Sequence, residues 1–178
     1  MPPPIPVVLA PYDPGWPYVA ARRAEDLRVL EPTLVSVHHI GSTSVPGLAA
    51  KPIIDLMPLV TSLADLDRKR PAIEALSYIW HGELGIARRR YCTLSSEDGI
   101  RLVQLHFFTA NCAEVERHIA FRDYLRARHD AARAYENEKC RARDLHPNDS
   151  HAYTDAKAVW IQETEAKALI WFRGHRAS

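Results

Sequence analysis

The sequence predicts an α+β domain, with a small mixed β-sheet packed against helices and a C-terminal three-helix segment. Two observations carry that expectation. Apolar, β-capable runs occur at Leu34–Ile40, at Pro52–Val60 and on both sides of Glu97-Asp98-Gly99. From Glu114 onward the apolar residues instead recur at helical spacing. Strands first and helices after give an α+β order rather than an alternating one. With 178 residues, 47% hydrophobic and 25% charged, the chain reads as one globular domain over residues 1–178, long enough to bury a full core.

Taken in order, Met1–Pro14 holds six of the thirteen prolines and reads as extended, with an edge segment around Val7–Leu9. Trp16, Val19, Ala20, Leu27 and Leu30 set a helix over Trp16–Leu30, ended by Pro32. Leu34–Ile40 is a strand. Gly41–Pro52 holds too many breakers for regular structure, apart from a turn at Leu48–Ala50. Pro52–Val60 is apolar throughout except for Asp55, as in a central strand buried on both faces. Ser62 is placed to cap a helix running to about Leu76, with Asp65 in its first turn. Tyr78–Trp80 is a weak strand, and Arg88–Ser95 with Arg101–Phe108 form a hairpin. Helices follow at Glu114–Arg128, Asp130–Leu145 and Ser150–Phe172, the last two separated by His146-Pro147-Asn148-Asp149.

A formal net charge of +1 provides no global field for nucleic acid. Cys92, Cys112 and Cys140 are odd in number and form no C-x-x-C pair, so they read as reduced thiols of a cytoplasmic protein. The proline-rich N-terminus lacks the basic region of a signal peptide, and no apolar run reaches the ~20 residues of a membrane span.

The chemistry-bearing stretch is His39–Asp55. Gly41-Ser42 closes one strand and Asp55 enters the next. A phosphate fits against Ser42 and nearby backbone N–H groups, and a cation fits between it and Asp55. Phosphoryl and nucleotidyl transfer are mostly positioning and charge neutralisation, which these residue types supply. The plainer alternative is a strand–turn–strand whose hydroxyls satisfy the backbone.

Helix geometry adds a second feature. Arg122 shares a stripe with Val115, Ile119 and Leu125, Lys139 shares one with Tyr135 and Ala142, and Lys157 lies among Tyr153, Trp160, Ile161 and Ala168. An unpaired buried charge costs several kcal/mol, so each cation needs a partner or a pocket. Snorkelling or pairing with Asp123 or Asp155 would also serve. Three such cations on successive helices favour one shared anionic partner. His106 sits within an apolar strand as a general base, a metal ligand or a satisfied core residue. Arg88-Arg89-Arg90 reads as a phosphate clamp or a solvated run. Tyr153-x-x-x-Lys157 has the spacing of a dehydrogenase dyad, but no glycine-rich dinucleotide loop accompanies it.

With these residues in view, the chain resembles the GrpB-like family (UPF0157), a domain also found fused to dephospho-coenzyme A kinases. The resemblance runs through Tyr12-Asp13-Pro14-Gly15-Trp16-Pro17 and the whole of His39–Asp55. It continues through Gly85-Ile86 with Arg89, Leu105-His106, Phe121–Arg126, Tyr135 with Lys139, and Tyr153-Thr154 with Lys157. The family is similar to nucleotidyltransferases, whose signature is a Gly-Ser at a strand end followed by two carboxylates one residue apart. Gly41-Ser42 and Asp55 match it. Met57 stands at the second acid, and His106 falls near a third.

The resemblance implies a pocket for a nucleotide or other phosphorylated small molecule. Gly41, Ser42, Thr43, His39, Lys51, Arg89, Arg122, Lys139, Tyr153 and Lys157 would bind it. Asp55 and His106 would be catalytic, with Asp55 also a ligand for Mg²⁺. Nucleotidyl or phosphoryl transfer is one expected function. A non-catalytic binding or accessory domain that has lost metal-dependent transfer is the other, and Met57 favours it because a thioether does not hold a hard cation.

Overall fold

A computed structural model describes residues 3–176. Seven α-helices surround a five-stranded sheet. The strands are β1 (Leu34–Ile40), β2 (Ile54–Val60), β3 (Ile79–Trp80), β4 (Arg90–Ser95) and β5 (Arg101–Thr109). The sheet order is β1-β2-β5-β4-β3, with β2 and β5 parallel and every other pair antiparallel. The mixed sheet expected from the sequence is therefore present, with β5 at its centre and β2 an interior strand between β1 and β5. The ladder from β2 to β5 skips Met57 and Pro58, where proline has no N–H to give.

The helices are α1 (Trp16–Asp26), α2 (Leu63–Arg68), α3 (Arg70–Ala75), α4 (Ala113–Ala127), α5 (His129–Leu145), α6 (Ser150–Ala156) and α7 (Ala158–Arg176). One sheet face carries Ile54, Leu56, Val103, Leu105 and Phe107. It packs on Trp16 and Ala20 of α1, on Leu27 and Leu30, and on Leu66 and Ile73 of α2 and α3. The opposite face carries Met57 and Phe108 under Val115 of α4. Alternation along β2 puts Asp55 on this second face.

Several boundaries differ from the sequence expectation. The first helix is α-helical only to Asp26, and Leu27–Leu30 tightens into a 3-10 turn. The single helix expected over 62–76 is split at Lys69, because Pro71 cannot donate the N–H that a continuous helix needs. Ser62 does cap α2, its hydroxyl accepting from Asp65 N. The last helix is split at Lys157 by a tight turn (Lys157 N to Thr154 O, 3.2 Å) that no local breaker announces. β4 begins at Arg90 rather than at Arg88, whose φ is +62°.

The N-terminal segment is extended but is not a sheet edge. Ala10 bridges Ala50, Val7 N donates to Pro147 O, and Ile5 N donates to Ser150 Oγ. Met1 and Pro2 lie outside the described residues. Cys92, Cys112 and Cys140 are all free thiols. No helix among the described residues is long and apolar enough to cross a membrane.

Candidate functional site

Antiparallel pairing sets Ile40 opposite Asp55, so Gly41 leaves β1 directly against the Asp55 carboxylate. Gly41 has φ +70°, and the chain then winds into a 3-10 turn over Ser42–Ser44. Ser44 Oγ donates back to Gly41 O at 2.6 Å, and Thr43 Oγ1 contacts His39 Nε2 at 2.9 Å. His39 is thereby tied into the loop, and burial pushes its imidazole down to about 4, so it is neutral at physiological pH.

The helices hold this loop by its carbonyls. From α4, Arg122 donates to His39 O (3.2 Å) and Arg126 to Ser44 O (2.9 Å). From α5, Glu136 accepts from Ala49 N (2.8 Å) while Lys139 donates to Ala49 O. Residues three apart on a helix share a face, so Glu136 and Lys139 grip the two sides of one residue.

Beneath the loop is a cavity of about 170 Å³ lined by Gly41, Ser42, Thr43, Lys51, Ile53, Asp55, Gln104, Tyr135, Lys139, Tyr153 and Lys157. Two tyrosine rings organise its cations. Lys157 Nζ lies 3.9 Å from the centre of the Tyr153 ring, and Lys51 Nζ lies 5.2 Å from it. Lys139 Nζ is 4.8 Å from the Tyr135 ring. Tyr135 is itself stacked on Trp160 of α7 and lines the cavity together with Ser42. Among the described residues, none of the three lysines forms an ion pair with a carboxylate. Burial holds the Lys139 ammonium down to about 8. Burial, together with the neighbouring Lys51 and Lys139, takes Lys157 to about 7.

Asp55 is the one acid lining the cavity. Its Oδ1 lies 3.3 Å from His106 Nε2, while His106 Nδ1 is buried without a hydrogen-bond partner. Met57 is fully buried against Ile40, Leu59, Phe108 and Val115. No group of three His, Cys, Asp or Glu side chains among the described residues could hold a metal. One carboxylate and one imidazole do not fit a two-metal centre, which needs several hard oxygen donors.

The sequence-expected residues thus separate. Gly41, Ser42, Thr43, Lys51, Asp55, Lys139, Tyr153 and Lys157 meet at one cavity. Arg122 does not line it: its guanidinium is engaged by Asp123 at 2.7 Å and by the carbonyl of His39. Arg89 is also elsewhere, buried with its guanidinium on Glu83 O and Leu84 O and over the Tyr91 ring. Arg90 is taken up by Asp67. Gln104 and Tyr135 were not expected as site residues. Gln104 pairs with Asp55 in the parallel ladder and precedes His106 by two, a period-2 signal that was present in the sequence.

The model of the family described as GrpB protein matches residues 6–167. The chain is 35% identical to the UPF0157 protein YqkA of Bacillus subtilis over 164 residues, covering 92% of this chain and 47% of YqkA. It thus spans about half the length of that relative. The crystal structure of conserved protein GrpB from Enterococcus faecalis superposes with a TM-score of 0.87 at 34% identity, covering 93% of this chain and 99% of that one. The Cid1 poly(U) polymerase superposes at a TM-score of 0.51 and 14% identity, covering 78% of this chain and 44% of its own, a likeness of fold alone. The chain belongs to the GrpB (UPF0157) family and has a nucleotidyltransferase-like fold.

Proposed function

We propose that this domain binds the anionic group of a small phosphorylated molecule, nucleotides included, between the Gly41–Thr43 turn and Lys51, Lys139 and Lys157. The observation that carries this reading is the excess of buried cation. Three lysines line a cavity that has a single acid, and two of them are more than nine-tenths buried. Buried ammonium groups without counter-ions are costly, and an anion offsets that cost where the fold does not. The cavity suits a phosphate and a few further atoms. The rest of a larger ligand would leave past Lys51 and Gln104 into an adjoining cleft lined by Tyr91, Arg101, His151 and Thr154. Free thiols suit the reducing cytoplasm in which such metabolites occur.

Metal-dependent nucleotidyl or phosphoryl transfer is the second reading, favoured by Asp55 lying directly against Gly41. The shortage of acids counts against it, and the lysines offer the neutralising charge that Mg²⁺ would otherwise supply.

A thermal-shift comparison separates the two. Inorganic phosphate and nucleotides in EDTA should each raise the melting temperature by several degrees, as ligands of the native state do. Lys157→Met should reduce the shift, and Lys51→Met should reduce it further. Stabilisation that appears only with nucleotide plus Mg²⁺, and disappears in Asp55→Asn, would establish the transfer reading instead.

A further inference from the structure

The three lysines are not equivalent. Lys139 Nζ donates to Ala49 O and faces the Tyr135 ring. Lys51 lies at the cavity mouth, shared with the adjoining cleft. Lys157 Nζ makes no hydrogen bond to the protein among the described residues, yet it lines the cavity at 3.9 Å from the Tyr153 ring centre. It sits at the bend between α6 and α7, which holds its backbone rigidly: its N–H bonds Thr154 O and its carbonyl accepts from Ile161 N.

From this arrangement we infer that Lys157 is a nucleophilic amine that forms an imine with a small phosphorylated aldehyde or ketone whose phosphate rests on Lys51 and Lys139. The inference rests on the anion-binding reading above and adds a bond-forming atom to it. A lysine becomes an effective nucleophile when desolvation and adjacent cations keep it neutral near physiological pH. Lys157 meets both conditions. The charged and titratable groups around it are Lys51 from the loop, Lys139 and Glu138 from α5, and Asp55 from β2, with the ring faces of Tyr135 and Tyr153 beside it. Glu138 is drawn away by Arg141, which leaves the cations dominant on the Lys157 side. Lys139 and Lys51 would remain protonated for the phosphate.

The chemistry balances without a co-reactant. The lone pair of the neutral amine attacks the carbonyl carbon, and a C–N bond forms as the C=O π pair moves to oxygen. The two amine hydrogens then leave with that oxygen as water, giving the imine. Ser42 and Tyr135 lie in the same cavity and can carry the proton between nitrogen and oxygen.

The test uses the intact wild-type chain. Glycolaldehyde phosphate and sodium cyanoborohydride are added near neutral pH, and peptide mass spectrometry locates the reduced adduct. Lys157 should be modified about tenfold or more faster than exposed Lys167. Inorganic phosphate should slow that labelling, and unphosphorylated glycolaldehyde should label Lys157 less. Equal labelling of Lys157 and Lys167, or labelling of Lys157 that phosphate leaves unchanged, overturns the inference. Phosphate-induced thermal stabilisation of the same preparation is measured in parallel. If stabilisation persists while labelling is unselective, the imine is wrong and anion binding stands. If neither occurs, both fall. Lys157→Arg should still be stabilised by phosphate but give no adduct at that position.

Discussion

A Cβ placed on Gly41 would lie 2.6 Å from Asp55 Oδ2 and 3.1 Å from Asp55 Cβ. The first residue of the Gly41–Ser44 turn and the only acid lining the cavity therefore occupy adjoining space that admits no side chain between them. Gly41 also has φ +70°, a conformation that L residues adopt at a cost.

Gly41→Ala should therefore lower stability by roughly 1–3 kcal/mol and displace Asp55 or the Ser42–Ser44 turn. Urea unfolding measures the first effect, and loss of phosphate-induced thermal stabilisation measures the second. A variant as stable as wild type and still stabilised by phosphate would show that this close approach is not what shapes the site.

Met57→Asp restores the carboxylate spacing of the nucleotidyltransferase signature. The structure predicts a different outcome from a restored metal site. Met57 is fully buried among Ile40, Leu59, Phe108 and Val115, so a carboxylate there would be stripped of water with no cation beside it. We expect a loss of roughly 3 kcal/mol or more in urea unfolding, not recovered by millimolar Mg²⁺. Recovery with Mg²⁺ would mean that the second face opens far enough for the acid to reach Asp55.

Arg122 on α4 and Lys157 at the bend between α6 and α7 both face inward, but they should fail differently. Arg122 holds the carbonyl of His39, so Arg122→Ala should cost about 1–3 kcal/mol of stability through a lost charged hydrogen bond. Its sulfate affinity should fall less than that of Lys157→Met when both variants are titrated under the same conditions.

That contrast marks where sequence reasoning ends. Helical periodicity shows which face a cation occupies, and it placed Arg122, Lys139 and Lys157 toward the interior. It does not show what already satisfies each one. Arg122 meets a carbonyl 83 residues away in the chain and an acid next to it, Lys139 meets Ala49 O, and Lys157 meets no hydrogen-bond acceptor among the described residues. The strand–turn–strand of His39–Asp55 was legible because glycine, proline and hydroxyl residues separate two apolar runs. Arg89 was misleading for the opposite reason. A run of three arginines reads as a phosphate clamp or a solvated face, yet the turn at Arg88 sends Arg89 inward onto loop carbonyls. Pro71, which splits α2 from α3, was visible in the sequence, whereas the bend at Lys157 had no local signal.

The lysine cavity should also leave a mark on stability against pH. The folded-state value of Lys157 is about 7 and that of Lys139 about 8, both below the ordinary 10.5. Between those limits the unfolded chain binds more protons, so stability rises with pH, by at most about 1.4 kcal/mol per pH unit for each lysine. Below about 7 both states are protonated at Lys157 and its penalty is complete. Urea unfolding in low salt should therefore show stability climbing from about pH 7 toward pH 9, with a shallower climb in Lys157→Met. An equal slope in the two proteins would show that Lys157 is solvated in the folded state.

The most direct test of anion binding without metal is calorimetric titration of sulfate into the protein in EDTA, at about pH 8, in two buffers of different ionisation enthalpy. Sulfate does not titrate in this range, so any proton exchanged comes from the protein. An anion beside Lys157 raises its affinity for a proton, and binding should take up a fraction of a proton per site. Lys157→Met should lose its share of that uptake, leaving the part that Lys139 supplies, and should bind sulfate more weakly. Sulfate binding with no proton uptake, or anion binding that requires Mg²⁺, would contradict the account.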